Sequence, residues 1–169
     1  MHRRHLAALP FLALAPGAAR ANEALGARLN GQHPAYYYQE AARLFGAGQR
    51  EDAVFLFYLG QLRFRTHLLA RPDLPADGDR ALFAALSDSV GRPVNEWAFG
   101  DVPALVRIMD AVLAHDESQP DRFTPPREFP EAHRGVREGL ARFREQVGAS
   151  VENIRQQRAA RGLENRPPR

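Results

Sequence analysis

The sequence predicts an all-α fold, a compact helical bundle with a long C-terminal helix. Three observations carry that expectation. Apolar residues recur three and four positions apart in several segments, the spacing of one helix face. Prolines and glycines mark the ends of several of these segments. The one run that could be a strand, "VFLFYL" at 54–59, has no turn residues around it, and its apolar register continues through Leu62, Leu68 and Leu69.

In chain order, "NEALGARLN" (22–30) predicts a short helix that "GQHP" breaks. "PAYYYQEAARLFGAG" predicts a helix with proline in its first turn, closed by Gly46 and Gly48. "QREDAVFLFYLGQLRFRTHLLA" follows after a tight turn, with Glu51 and Asp52 at the end where the helix dipole favours acids. It is apolar nearly all round, so it is expected at the centre of the bundle. "RPDLPADGD" reads as a loop. A third helix is expected over 79–91, with Leu82, Phe83, Leu86 and Val90 on one face and Gly91 then Pro93 stopping it. "RPVNEWAFG" then reads as a connector anchored by Trp97, the only tryptophan.

Asp101 is placed to cap the next helix, whose apolar stripe is Leu105, Ile108, Met109, Val112 and Leu113. The four prolines within 117–130 require a loop. A last helix is expected from about Glu131 to Arg161, followed by a disordered tail, 162–169. Its seam runs through Val136, Leu140, Phe143 and Val147; Ser150, Val151 and Ile154 then break the strict heptad. Such a seam packs on the rest of the domain or pairs two copies, so the chain is expected as a monomer or as a homodimer through this helix.

The helices from 34 to 70 carry a further pattern. Tyr37, Ala41 and Leu44 in the first helix, and Ala53, Phe57 and Gly60 in the second, alternate bulky and small residues. That spacing resembles a single tetratricopeptide repeat. Glu40 stands where the family prefers leucine, and Arg65 where a closing proline is common; no second copy follows. The resemblance implies a tight antiparallel hairpin and peptide contact through the first helix, at Ala35, Tyr38, Ala42 and Phe45. A lone repeat is not stable alone, so the other helices must cover it.

Composition narrows both compartment and chemistry. Residues 1–21 read as a secretory signal peptide: a basic "MHRRH", a short apolar "LAALPFLALAP", and Ala19-Arg20-Ala21 before the cleavage point. Export to the periplasm is therefore expected, and the apolar run is too short to span a bilayer. The leader holds Arg3, Arg4 and Arg20 and no acid, so its removal takes 23 basic against 20 acidic residues to 20 against 20. A neutral remainder argues against nucleic acid as a partner. The chain has no cysteine and no lysine. Disulfides, thiolate metal sites, cysteine nucleophiles, Schiff-base lysines and a P-loop lysine are excluded. His33, His67, His115 and His133 show no metal-ligand spacing, and no cofactor-binding motif is present.

One constellation remains. Tyr58, Gln61 and Arg65 fall three and then four apart, so they share a face of an otherwise apolar helix. They are either a recognition surface for a carboxylate or backbone ligand, or a structural stripe in which Arg65 pairs with Glu40, Glu96 or Asp101. With Tyr38 and Phe45 they form the candidate partner-binding set. The expected function is a periplasmic protein-binding module, an assembly factor or immunity-type protein for a protein or peptide partner. The alternative is a small periplasmic hydrolase with an Asp/Glu/His site.

Overall fold

The computed structural model describes residues 24–168, so the expected signal peptide lies outside the described residues. All regular structure among them is helical. Helix α1 covers 24–29, α2 Ala35–Gly46, α3 Arg50–Ala70, α4 Asp79–Leu86, α5 Arg92–Ala98, α6 Val102–Ser118, α7 Pro130–Ala149 and α8 Val151–Ala160. No helix among the described residues is long and apolar enough to cross a membrane.

Helix α3 is the axle of the bundle and touches α2, α4, α5, α6 and α7. Its residues from Ala53 to Gly60 are all buried, which is why it has no polar face there. The α2–α3 hairpin forms as expected, and Gly48 makes its turn with φ +83°, a conformation costly for any residue with a Cβ. Small residues set the helix approach. A Cβ added at Gly60 would lie 2.6 Å from the Cβ of Tyr37, so nothing larger than glycine fits there. Tyr37, Leu44 and Phe57 fill the remaining space and are buried.

Three stretches differ from the sequence expectation. The third helix does not stop at Gly91: α4 passes through a π-helical turn, Ser87–Gly91, into α5. Pro93 thus opens the next helix instead of ending the last one. The wider turn just before it accommodates a residue that lacks an N–H and crowds the carbonyl four back. Gly91 lets that turn press on the core, where an added Cβ would sit 2.9 Å from Phe57 Cζ. The expected connector 92–100 is therefore mostly helix.

The expected long C-terminal helix is two helices, broken at Ser150 with φ −112°. This is where the heptad register fails in the sequence. The seam packs inward: Val147 is buried, and Val136, Leu140, Val151 and Ile154 pack against the core. Of the tail beyond Arg161, expected to be disordered, Glu164 and Arg166 are held on the bundle. Arg166 donates its backbone N–H to Gly100 O at 2.8 Å, and its guanidinium stacks 3.8 Å from the Trp97 ring centre. Arg158 donates to the backbone carbonyls of Glu96 and Glu164, joining α8, α5 and the tail.

The Asp101 cap is present: its Oδ1 accepts from the Ala104 N–H at 3.1 Å. Of the α6 stripe, Leu105, Met109 and Val112 are buried in the core, with Ile108 and Leu113 packed at its edge.

Candidate functional site

A cleft of about 840 Å³ opens between the C-terminal half of α3 and the N-terminal half of α7. Tyr58, Gln61 and Arg65 all line it, so the polar stripe on α3 faces open space. The volume lies within the range of small-ligand and peptide pockets, roughly 300–1,000 Å³.

Each wall has a local cause. On α3, residues 58, 61, 62, 65, 68 and 69 repeat at helical spacing, so one face is presented along several turns. On α7, Gly135 and Gly139 are one turn apart and have no side chain to fill the gap. A Cβ at Gly139 would meet nothing within 4 Å. Val136, Leu140 and Phe143 flank the glycines. Helix α5 contributes Asn95 to the end of the cleft, Phe99 just after it lines the same end, and α4 contributes Arg80. Leu69 is 58% exposed and Phe143 38% exposed, so apolar surface stands open at the rim.

The charge of the lining is one-sided. It contains Arg65 and Arg80 and no aspartate or glutamate. Arg65 is exposed, and its guanidinium lies 5.5 Å from the Phe83 ring centre, a cation–π contact. Arg80 donates to the carbonyls of Pro72 (2.8 Å) and Leu74 (3.4 Å), tying down the loop before α4. Neither arginine has a carboxylate within ion-pair reach among the described residues. Of the partners the sequence offered for Arg65, Glu40 pairs with Arg28 and Arg43, and Asp101 caps α6. Hydrogen bonds from Arg43 and Arg28 hold the Glu40 carboxyl down at about 2.

Tyr58 is buried except for its contact with the cleft, and its hydroxyl donates to Asn95 Oδ1 at 2.9 Å. Burial pushes its phenol upward, so it stays protonated and keeps donating. Asn95 is thereby oriented with its amide N–H groups free of any partner among the described residues, as is the Gln61 carboxamide. The cleft is rich in donors, poor in acceptors and positively charged.

The remaining two members of the candidate set lie elsewhere. Tyr38 is fully buried, edge-to-face with Phe57 and within ring contact of Phe64 and Phe83. It is core, because α4 and the π turn cover the face of α2 that an isolated repeat would leave open; it cannot meet a partner. Phe45 is half-buried at the far end of the hairpin, 6.4 Å from Trp97 and 5.0 Å from the Arg50 guanidinium. It does not join the cleft.

The sequence reading missed a buried arginine. Arg63, two residues before Arg65, is 0% exposed. It donates to the Tyr37 hydroxyl and to Gln119 O at 2.8 Å, and its Nε lies 3.5 Å from Asp116 Oδ1. Asp116 Oδ2 accepts from Arg137 at 2.9 Å, so one buried carboxylate links α3, α6 and α7. The signal was weak: a lone arginine inside an apolar run gives no hint of which side it takes. The glycines of α7 were also missed, although their one-turn spacing was visible.

A second cluster joins segments far apart in sequence. The Nε2 atoms of His33 and His67 and the Asp79 carboxylate lie within 4.8 Å of one another. His67 Nε2 is 2.7 Å from Asp79 Oδ2, and His33 Nε2 is 3.3 Å from Asp79 Oδ1. These are metal-ligand types, yet their outer contacts fit another role. Arg71 donates to His67 Nδ1 (2.9 Å) and the Ala35 N–H donates to His33 Nδ1 (3.2 Å). Each neutral ring therefore carries its proton on Nε2, directed at Asp79. A metal on Nε2 would move that proton to Nδ1, where each ring faces a donor instead of the usual acceptor. The cluster is built as a carboxylate clamping two imidazoles. Burial lowers the His67 pKa, and the His67 hydrogen bond lowers that of Asp79.

Comparison with known proteins finds no matching family, no similar characterised protein and no similar solved structure.

Proposed function

We propose that the chain is an exported, periplasmic protein-binding module that receives a segment of a partner polypeptide in the cleft between α3 and α7. The observation that carries this reading is the cleft lining. Apolar side chains left open to solvent stand beside unpaired donors and two arginines with no internal carboxylate. A structural stripe would have found its partners inside the molecule, as Arg63 does. Residues 1–21 support export by their composition. The tetratricopeptide-like spacing of α2 and α3 supports a scaffold role for the hairpin, with recognition moved from α2 to the opposite face of α3.

The test expresses the full chain with a C-terminal tag in a Gram-negative host. The tagged protein is recovered from the periplasmic fraction with Asn22 as its first residue, and it retains one dominant partner. Arg65→Ala and Gly139→Leu both lose that partner without loss of thermal stability. A cytoplasmic protein with an intact N-terminus would end the export reading. A partner retained by both variants would end the cleft reading.

The His33–His67–Asp79 cluster favours the hydrolase as the second reading, because it sets a carboxylate against an imidazole. Its partners use both ring nitrogens of His67, and no residue of the cluster lines the cleft. Hydrolysis of ester or amide substrates that His67→Ala abolishes would establish it over binding.

A further inference from the structure

The cleft carries enough detail to name its occupant, on the reading that a partner polypeptide is what it receives. We infer that the occupant is an acidic amphipathic helix of the partner, docked along the α3–α7 groove with a carboxylate between Arg65 and Arg80.

Length comes first. The lining spans residues 58 to 69 on α3 and 135 to 143 on α7. At about 1.5 Å rise per residue these walls are roughly 16 Å and 12 Å long, the length of two to three helical turns. Shape comes second. Gly139 leaves an open spot on α7 with nothing within 4 Å of where a Cβ would be, Gly135 one turn earlier has only the tip of Leu69 at 4.0 Å, and Leu140 and Phe143 flank them. Glycines so placed let another helix come close, as Gly60 lets α3 approach α2 in this molecule. The exposed Leu69 and Phe143 stand on opposite walls, where the apolar stripe of an incoming helix would cover both.

Charge decides the polar face. Arg65, Arg80, Gln61 and Asn95 offer donors with no acid among the lining residues, so the occupant must bring acceptors and negative charge. Arginine forks pair with carboxylates in two parallel hydrogen bonds, and both arginines are anchored by contacts that leave donors over. A basic or neutral helix would fit the shape and be rejected by the charge.

The probes are two fluorescein-labelled helical peptides of about 14 residues, roughly the groove plus one turn. Both carry leucine on one face; one has glutamate flanking the stripe, the other lysine. Fluorescence anisotropy with the full chain is expected to show at least about tenfold tighter binding of the glutamate peptide, weakening as salt is raised. Arg65→Ala with Arg80→Ala is expected to abolish the preference, and Gly139→Leu to abolish binding of both peptides without lowering the melting temperature. Equal binding of the two peptides, or binding of neither, overturns the inference. So does displacement of the glutamate peptide by decanoate at one molecule per chain, which would make the site one for small carboxylates. So too does a doubling of the protein's mass that excludes the peptide, which would make the occupant a second copy. A peptide preference that holds while no periplasmic partner is recovered keeps this inference and ends the functional reading instead.

Discussion

Arg63 and Arg65 lie two residues apart on α3 and have opposite surroundings. Two positions turn the chain about 200° around a helix, which is enough to send one guanidinium inward and the other out. Arg63 is sealed among Tyr37, Gln119 and Asp116. Arg65 stands at the rim of a cleft that contains no acid. On one side the fold has gathered carboxylate, carbonyl and hydroxyl around a charge, because a lone buried charge would not be tolerated. On the other side it has left a guanidinium without a carboxylate, the Gln61 carboxamide and the Asn95 amide N–H groups without acceptors, and two large apolar side chains part-exposed. The first side is organised for stability. The second lacks such internal pairing, which is what the proposed partner-binding reading rests on.

The strongest way to break this comparison is at Asp116, the carboxylate shared by Arg63 and Arg137. Asp116→Ala leaves Arg63 buried without its counter-charge and is expected to cost about 3–5 kcal/mol. At roughly 2–4 °C per kcal/mol for a chain of this size, the melting temperature should drop by about 6–20 °C. Arg63→Met should cost less, because Asp116 keeps Arg137 and an apolar side chain fills the space. Chemical denaturation of both variants checks the order. Equal losses would mean that Arg63 matters for packing and not for charge.

Two glycines sharpen the contrast without touching a charge. Gly60→Ala forces a methyl to 2.6 Å from Tyr37 Cβ in the hairpin, and overpacking of this kind costs about 1–3 kcal/mol. Gly139→Ala puts the same methyl into the open cleft and should stabilise α7 by up to about 1 kcal/mol through helix propensity alone. Opposite signs in urea denaturation would show that the first glycine serves packing and that the second keeps a surface clear.

Much of this was legible before any coordinates. The α2–α3 hairpin, the central place of α3 and the Asp101 cap follow from residue spacing, because each depends on neighbours in the chain; the break at Ser150 did not, since the lost heptad register was read within one continuous helix. Tyr58, Gln61 and Arg65 could be grouped for the same reason. What spacing does not give is the partner across the gap. Gly139 and Phe143 become cleft walls only when α7 is laid beside α3. Tyr38 becomes core only when α4 and its π turn cover α2. Asp79 meets His33 and His67 only because the loop before α4 folds back. Contacts between distant segments also separated Arg63 from Arg65, since both sit in the same apolar run.

The imidazole clamp gives the pH dependence. Burial lowers the His67 pKa below its unfolded value near 6.5, so the unfolded chain takes up that proton first as pH falls. The stability His67 provides is complete above that value and is lost as pH falls through its folded pKa. Asp79 is also shifted down, and its contribution is lost only once pH falls below the ordinary carboxylate range. Its charge, the Arg71 guanidinium and the His33 ring are the titratable or charged groups that act on His67. Thermal melts between pH 7 and pH 5 should show falling stability, and His67→Gln should flatten that slope. A slope unchanged by the substitution would place the proton uptake elsewhere.

The smallest expected effect bears most directly on the comparison. Arg65→Ala removes an exposed guanidinium with no ion pair among the described residues and a single cation–π contact to Phe83. A surface change of that kind should move stability by no more than about 0.5 kcal/mol. Arg63→Ala, two residues away, should cost several times that, since it strips the buried Asp116 of one of its two cations. Measured side by side, the pair of variants asks whether a charge is kept for the fold or for a ligand. If Arg65→Ala destabilises the protein as much as Arg63→Ala does, the cleft is part of the bundle's own architecture, and the donors that line it are held for the fold. If it leaves the melt untouched and weakens an acidic partner's binding, the same helix holds the bundle together with one arginine and reads its partner with the other.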